Sequence, residues 1–284
     1  MAVFYHYTTI NALYNMLEES IEEDKDTGMN KLLFHLTHIS EMNDTMEYRL
    51  LVEPLMKKVK EYAKKKGETL TQVQTEQLDH MCRPDKYILS LSDKNAYDKL
   101  DMWRGYGGNG FGLCLGLNFS KIDIFYSNKK DDGSPIYIME KPYFPTKCIY
   151  STPEEIEKEI DEKNVEHIYN VLTNPDCDYT KTVINEAGVM CDISRKATKY
   201  KHDAYKSECE WRFTMCSQDA PKYKNNKGCI KPYMEFGIPI SAIESVTIGP
   251  CIKESEQVKN IEQFIKDKLV TDIQIKYSSI PYRG

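Results

Sequence analysis

The chain has 284 residues, 40% hydrophobic and 29% charged, an ordinary globular balance. Its formal net charge of −6 argues against broad, sequence-independent binding to nucleic acid. No run of about 18 apolar residues occurs, so neither a transmembrane helix nor a membrane partner is expected.

The stretch Ala2 to Thr8 alternates with β-prone side chains and predicts a strand, with Thr8-Thr9 as the cap of a helix reaching about Ser20. The start, Met1-Ala2-Val3, has neither the basic leader nor the apolar core of a signal peptide. After an acidic turn, Leu32 to Thr37 reads as a second strand. Asn43-Asp44-Thr45 reads as a turn and cap, followed by helices from Met46 to about Lys66 and from Thr71 to Met81. Tyr87 to Ser92 is a buried-type strand, and Asp98 to Arg104 a short helix stopping in the glycine cluster 105–110. Strands are expected at 111–119 and 134–143, then one charged helix from about Pro153 to Leu172 and another from Lys181 to about Tyr200. A strand at 208–216, a polar loop at 222–227 and strands at 230–236 and 243–248 follow. A helix at 254–268 and a strand at 273–277 close the chain. The expectation is one α+β domain over 1–284, with helical insertions at about 45–82 and 152–200.

The nine cysteines are irregularly spaced without a C-x-x-C pair, which fits reduced cytoplasmic thiols better than disulfides or a zinc site. Gly105-Tyr106-Gly107-Gly108-Asn109-Gly110 spells a dinucleotide fingerprint, but a helix precedes it and a strand follows. That reverses the required context, so a tight turn is expected instead. His35 and His38 sit three apart on a strand, where their rings diverge, so no metal role is expected. Strict alternation in 208–215 puts Glu208, Glu210 and Arg212 on one strand face, either a solvated face or an acidic site. His6, between Tyr5 and Tyr7, is either a carbonyl-satisfied histidine or a ligand-binding one.

Tyr5-His6-Tyr7-Thr8, Asn43-Asp44 with Glu47, Ser90-Leu91-Ser92, Met102-Trp103-Arg104-Gly105-Tyr106, Glu208-Cys209-Glu210-Trp211-Arg212 and Ser279-Ile280-Pro281-Tyr282-Arg283 occur in that order. Together they resemble, over nearly the whole chain, an uncharacterised bacterial family, domain of unknown function 2971. A more distant resemblance is to the ADP-ribosyltransferase superfamily, through Tyr5-His6-Tyr7-Thr8 and the acidic pair Glu208-Cys209-Glu210. It implies a split, mostly antiparallel sheet with NAD as substrate and no metal. It also implies an unknown protein or nucleic-acid acceptor and a toxin or phage-defence setting. The catalytic residues would be Glu210 on the nicotinamide ribose, Glu208 on the acceptor and His6 on the adenosine side. Tyr106 or Trp103 would stack on nicotinamide, and Tyr5, Tyr7, Thr8 and Arg212 would help bind the substrate. Ser90, Ser92 or Tyr106 would supply the middle hydroxyl. The rival readings are a non-catalytic nucleotide- or phage-protein sensor and a metal-dependent nuclease using Asp44 or Glu47 with Glu208, Glu210 and Arg212.

Overall fold

The computed structural model describes residues 3–19, 21–23, 30–44, 46–82, 86–122, 128–129, 135–136, 144–173, 193, 195–216, 220–226, 228–269 and 273–284. The first half comprises β1 (Val3–Thr8), α1 (Ile10–Glu19), β2 (Ile21–Glu23), β3 (Asn30–His38), α2 (Arg49–Lys65), α3 (Gln72–Cys82), β4 (Tyr87–Ser92), α4 (Leu100–Gly105) and β5 (Leu113–Asn118). Short strands follow: β6 (Asn128–Lys129), β7 (Pro135–Ile136), β8 (Thr146–Lys147) and β9 (Ile149–Ser151). Next come α5 (Pro153–Glu159), α6 (Glu162–Thr173), β10 (Tyr200–His202), β11 (Glu210–Met215), β12 (Lys222–Asn226) and β13 (Cys229–Pro239). The last elements are β14 (Ile243–Ile248), α7 (Ser255–Leu269) and β15 (Gln274–Tyr277).

The fold is mixed α and β around a mostly antiparallel sheet, with β14–β15 as its parallel pair. Its centre is β4. β11 pairs with β4 along its whole length, Glu210 opposite Ser92 and Met215 opposite Tyr87. A strand has two edges, so β3 and β1 must share the other. β3 takes its start (Thr37 opposite Ile88) and β1 its end (Tyr5 opposite Ser92). Between these pairings the sheet splits, and the backbone around Ser90 faces a gap.

One face of the sheet carries the main core. Phe34, Leu89, Leu115 and Phe213 pack there with Leu13 and Leu17 of α1 and Ile265 and Leu269 of α7. The other face is covered by two separate apolar clusters. One joins Ile88 to Leu55 and Val59 of α2, Leu78 of α3, Ile156 of α5 and Ile168 of α6. The other holds Tyr7, Ala96, Met102, Trp103 and Cys114. No described helix is long and apolar enough to cross a membrane.

Three expectations need correction. The helix expected over 153–172 is two helices, because Ile160 is extended and Asp161 Oδ1 accepts the Lys163 N–H (2.9 Å), starting a new N-terminus. The polar loop expected at 222–227 is strand β12, paired with β13 from Lys222–Tyr233 to Asn226–Cys229. Its turn closes at Gly228 (φ 84°), whose N–H bonds Asn225 Oδ1. β2 forms inside the expected acidic turn by pairing with β3. Most of the helix expected at 181–200 and of the strand at 134–143 lies outside the described residues.

The glycine cluster is a tight turn, as its context implied. A Cβ on Gly107 would sit 2.5 Å from the Trp103 ring, and one on Gly112 2.3 Å from the Thr8 carbonyl oxygen.

Candidate functional site

Where the sheet splits, a pocket of about 220 Å³ opens on the face opposite the main core, between its two satellite clusters. Register decides which side chains reach it. Tyr5, Ser90, Ser92 and Glu210 point to the same face because Tyr5 and Glu210 both oppose Ser92. Tyr7, Tyr106 and Glu208 complete that wall.

His6 enters from below. It shares Phe4's side of β1, packs edge-on against Phe34 (5.5 Å) and bonds through Nδ1 to the Ser90 carbonyl at 3.1 Å. The imidazole thus satisfies a carbonyl exposed by the split, and it also lines the pocket. The carbonyl fixes the proton on Nδ1 and leaves Nε2 as an acceptor. Burial lowers the pKa of His6, which favours this neutral form.

The acidic pair is arranged differently from the strand pattern. β11 begins only at Glu210; Glu208 ends a 3₁₀ turn (Asp203–Glu208), and Cys209 between them is left-handed (φ 45°). The carboxylates are brought together by Lys201 of β10, whose Nζ lies 2.6 Å from Glu208 Oε2 and 2.6 Å from Glu210 Oε2. Arg212 holds Glu210 from the other side, Nε to Oε1 at 3.1 Å, and reaches Glu47 Oε2 through Nη2 at 2.5 Å. Its Nη1 donates to the Thr198 carbonyl at 2.9 Å. The Tyr106 hydroxyl donates to Glu208 Oε1 at 2.6 Å.

The solvated-face reading of β11 is therefore wrong: Glu210 is 3% exposed and Arg212 2%. Glu47, the Thr198 carbonyl and Lys201 meet Glu210 and Arg212 on that face. Three carboxylates (Glu47, Glu208, Glu210) meet two cations (Lys201, Arg212), so one carboxylate is in excess of the cations that could neutralise it. Burial opposes ionisation of Glu210, but Arg212 and Lys201 outweigh it and hold its carboxyl down at about 2. Burial also opposes the Lys201 charge, and Glu210 and Glu208 reverse that, raising its pKa well above the usual lysine value. Glu47 is different. Burial pushes it up to about 7 despite Arg212, making it the carboxylate on which a proton rests near neutrality.

Several expected residues fall elsewhere. Trp103 is fully buried, its Nε1–H given to Asp98 at 2.9 Å, so it has no face to stack on a ligand. Ser278 and Ser279 bond the same carboxylate, so the Trp103 and Ser279–Arg283 motifs build a structural knot. Thr8 is buried beside the glycine turn, and Arg212 lies behind Glu210. Tyr7 does line the pocket, but its hydroxyl donates to the Ala96 carbonyl. Sequence reasoning missed Lys201, which stood just past the helix expected to end at about Tyr200 and carried no signal. Asp44, assigned only to a nuclease reading, lines the pocket with a buried Oδ2 that has no hydrogen-bond partner. Among the described residues, no group of three or more His, Cys, Asp or Glu side chains is placed to hold a metal ion.

No curated protein and no solved structure matches the chain. Residues 102–213 match the model of a family described as Protein of unknown function (DUF2971), a span that runs from α4 through β11 and contains Tyr106, Lys201, Glu208, Glu210 and Arg212.

Proposed function

We propose that this protein is an NAD-directed enzyme of ADP-ribosyltransferase type, which cleaves the nicotinamide–ribose bond and passes ADP-ribose to water or to an acceptor side chain. The observation that carries the reading is the convergence of His6, Ser90, Ser92, Tyr106, Glu208 and Glu210 on one pocket at a split in the sheet. Breaking the C–N bond sends its electron pair out with nicotinamide and leaves a cationic, oxocarbenium-like ribose. A buried cluster with one more carboxylate than cation gains net negative charge as Glu47 ionises, which favours that state. Glu210, fixed between Lys201 and Arg212, sets the field, while Glu208 and Tyr106 present polar atoms to the ligand. The attacking nucleophile then bonds to the ribose carbon and gives its proton to a carboxylate.

The test is release of nicotinamide from NAD. Glu208→Gln should lower turnover by roughly a hundredfold or more, with far less change in thermal unfolding than a substitution at Glu210. Turnover unchanged in that variant rules out the carboxylate mechanism.

A second reading rests on the saturation of this cluster. Both oxygens of Glu208 and of Glu210 already have internal partners, as in a site built to hold a ligand without transforming it. A nucleotide-sensing module predicts thermal stabilisation by NAD with no nicotinamide released. The same saturation leaves a metal-dependent nuclease without free carboxylate ligands at Glu208 and Glu210.

A further inference from the structure

We propose that Lys224 and Lys231, facing each other at the mouth of the pocket, form a phosphate subsite that takes the diphosphate of a nucleotide. The proposal rests on the reading of the pocket as an NAD site and names how the other end of that ligand is held.

The two lysines are direct register partners in the β12–β13 pair. Like charges in that position stand about 5 Å apart at Cβ and destabilise the pairing. Lysines on an edge strand often serve only to repel other strands, but those point into solvent. Lys224 and Lys231 are half-buried and line the pocket.

Their partners are also unequal to their charge. Lys222, two residues earlier on the same strand, is paired with Glu235 at 2.5 Å. No carboxylate among the described residues pairs with Lys224, whose Nζ sits 5.4 Å from the centre of the Tyr233 ring. Lys231 donates to the Glu41 backbone carbonyl at 2.9 Å, and the Glu41 carboxylate stands off at 3.8 Å. Burial and the neighbouring Lys231 both act against the Lys224 charge and lower its pKa. An anion between the two ammonium groups would relieve that repulsion and satisfy donors that the fold leaves open.

The mouth, where Lys224 and Lys231 stand near Glu41, has one positive charge in surplus. The inner end has one more carboxylate than cation and gains a net negative charge as Glu47 ionises. A pocket polarised in this way suits a small ligand with an anionic middle and a cationic head. NAD is such a molecule, its pyrophosphate lying between adenosine and nicotinamide ribose. A nucleic-acid strand fits less well, because the chain carries a net −6 and the inner end is acidic.

The test is calorimetric titration of the full chain with inorganic pyrophosphate and with ADP at low and high salt. The wild-type chain should bind both, and binding should weaken as salt screens the lysines. Lys224→Gln and Lys231→Gln should each weaken binding roughly ten- to hundredfold, while Lys222→Gln leaves it unchanged. Equal affinity in the Lys224→Gln/Lys231→Gln double variant overturns the subsite, as does a wild-type chain that binds neither probe. So does a lysine-dependent affinity seen for a single-stranded oligonucleotide but not for ADP. The enzyme reading fails separately. A chain that holds ADP through these lysines but releases no nicotinamide keeps the subsite and loses the reaction. Nicotinamide release with a KM for NAD unmoved by the double variant does the reverse.

Discussion

The inner end and the mouth of the pocket use the same chemistry, lysine or arginine against glutamate, with opposite physical consequences. At the inner end Arg212, Glu210, Glu47 and Lys201 have side chains 1 to 5% exposed, and every charge leans on another. At the mouth Lys231 is 22% exposed, and Lys222 beside it on the hairpin 62%. A buried pair adds little net stability over an apolar replacement, yet breaking one strands a charge in a medium that cannot solvate it. Exposed pairs are screened and individually weak. The inner end is thus part of the folded core, and the mouth is free to answer to a ligand.

The largest expected effect follows from this contrast. Arg212→Ala leaves Glu47 without its partner and Glu210 with Lys201 alone, and should destabilise the chain by about 3–5 kcal/mol in urea unfolding. A loss below about 1 kcal/mol, the scale of a surface pair, would erase the distinction between the two ends.

Next in size is the pH response of Glu47. Its folded pKa is raised from 4.5 to about 7, so between those values the folded chain holds a proton that the unfolded chain has lost. The associated stability is fully present below 4.5 and is lost as pH rises through about 7. Glu210 acts in the opposite sense. Held at about 2, its contribution is present above its unfolded value and is lost only as pH falls toward 2, outside this window. Glu47→Gln resembles the protonated acid, so thermal unfolding from mildly acidic to mildly alkaline pH should lose less stability in the variant than in the wild type. Parallel curves would show that Glu47 titrates as an ordinary exposed carboxylate.

How far the sequence disclosed these regions depends on whether the information was local. Alternation and caps placed β1, β4, α1 and the 243–248 strand, because periodicity of two and of 3.6 is written in neighbouring residues. The acidic pair at Glu208 and Glu210 stood out for the same reason, and both line the pocket. What pairs with them did not. Lys201 reaches them from β10, and Glu47 reaches Arg212 across 165 positions of chain. No local pattern encodes either contact. Burial of the β11 polar face was hidden too, since the face reads as polar whether water or a helical layer covers it. Trp103 failed in the opposite direction: an aromatic beside a glycine turn looks like a stacking platform, and only the Asp98 bond shows that its polar atom is spent. β12 was read as a loop because its lysines and asparagines are poor strand formers. Pairing with β13 overrode that preference.

The smallest expected effect is also the one that most directly separates the two ends. Lys224→Gln removes a half-buried positive charge that opposes Lys231 and has no carboxylate partner among the described residues. The variant gives up little attraction and relieves a like-charge pair, for which cross-strand values are a few tenths of a kcal/mol. Its unfolding free energy should therefore stay within about 0.5 kcal/mol of wild type, on the stabilising side. Because the repulsion is electrostatic, the gain should shrink as salt rises. A destabilisation of more than about 1 kcal/mol would mean that the aliphatic stem of Lys224 packs the hairpin against β3. The mouth would then be as structural as the inner end. A neutral or stabilising outcome leaves Lys224 as a residue that the fold tolerates at its own expense, which is the behaviour expected of a group kept for a ligand.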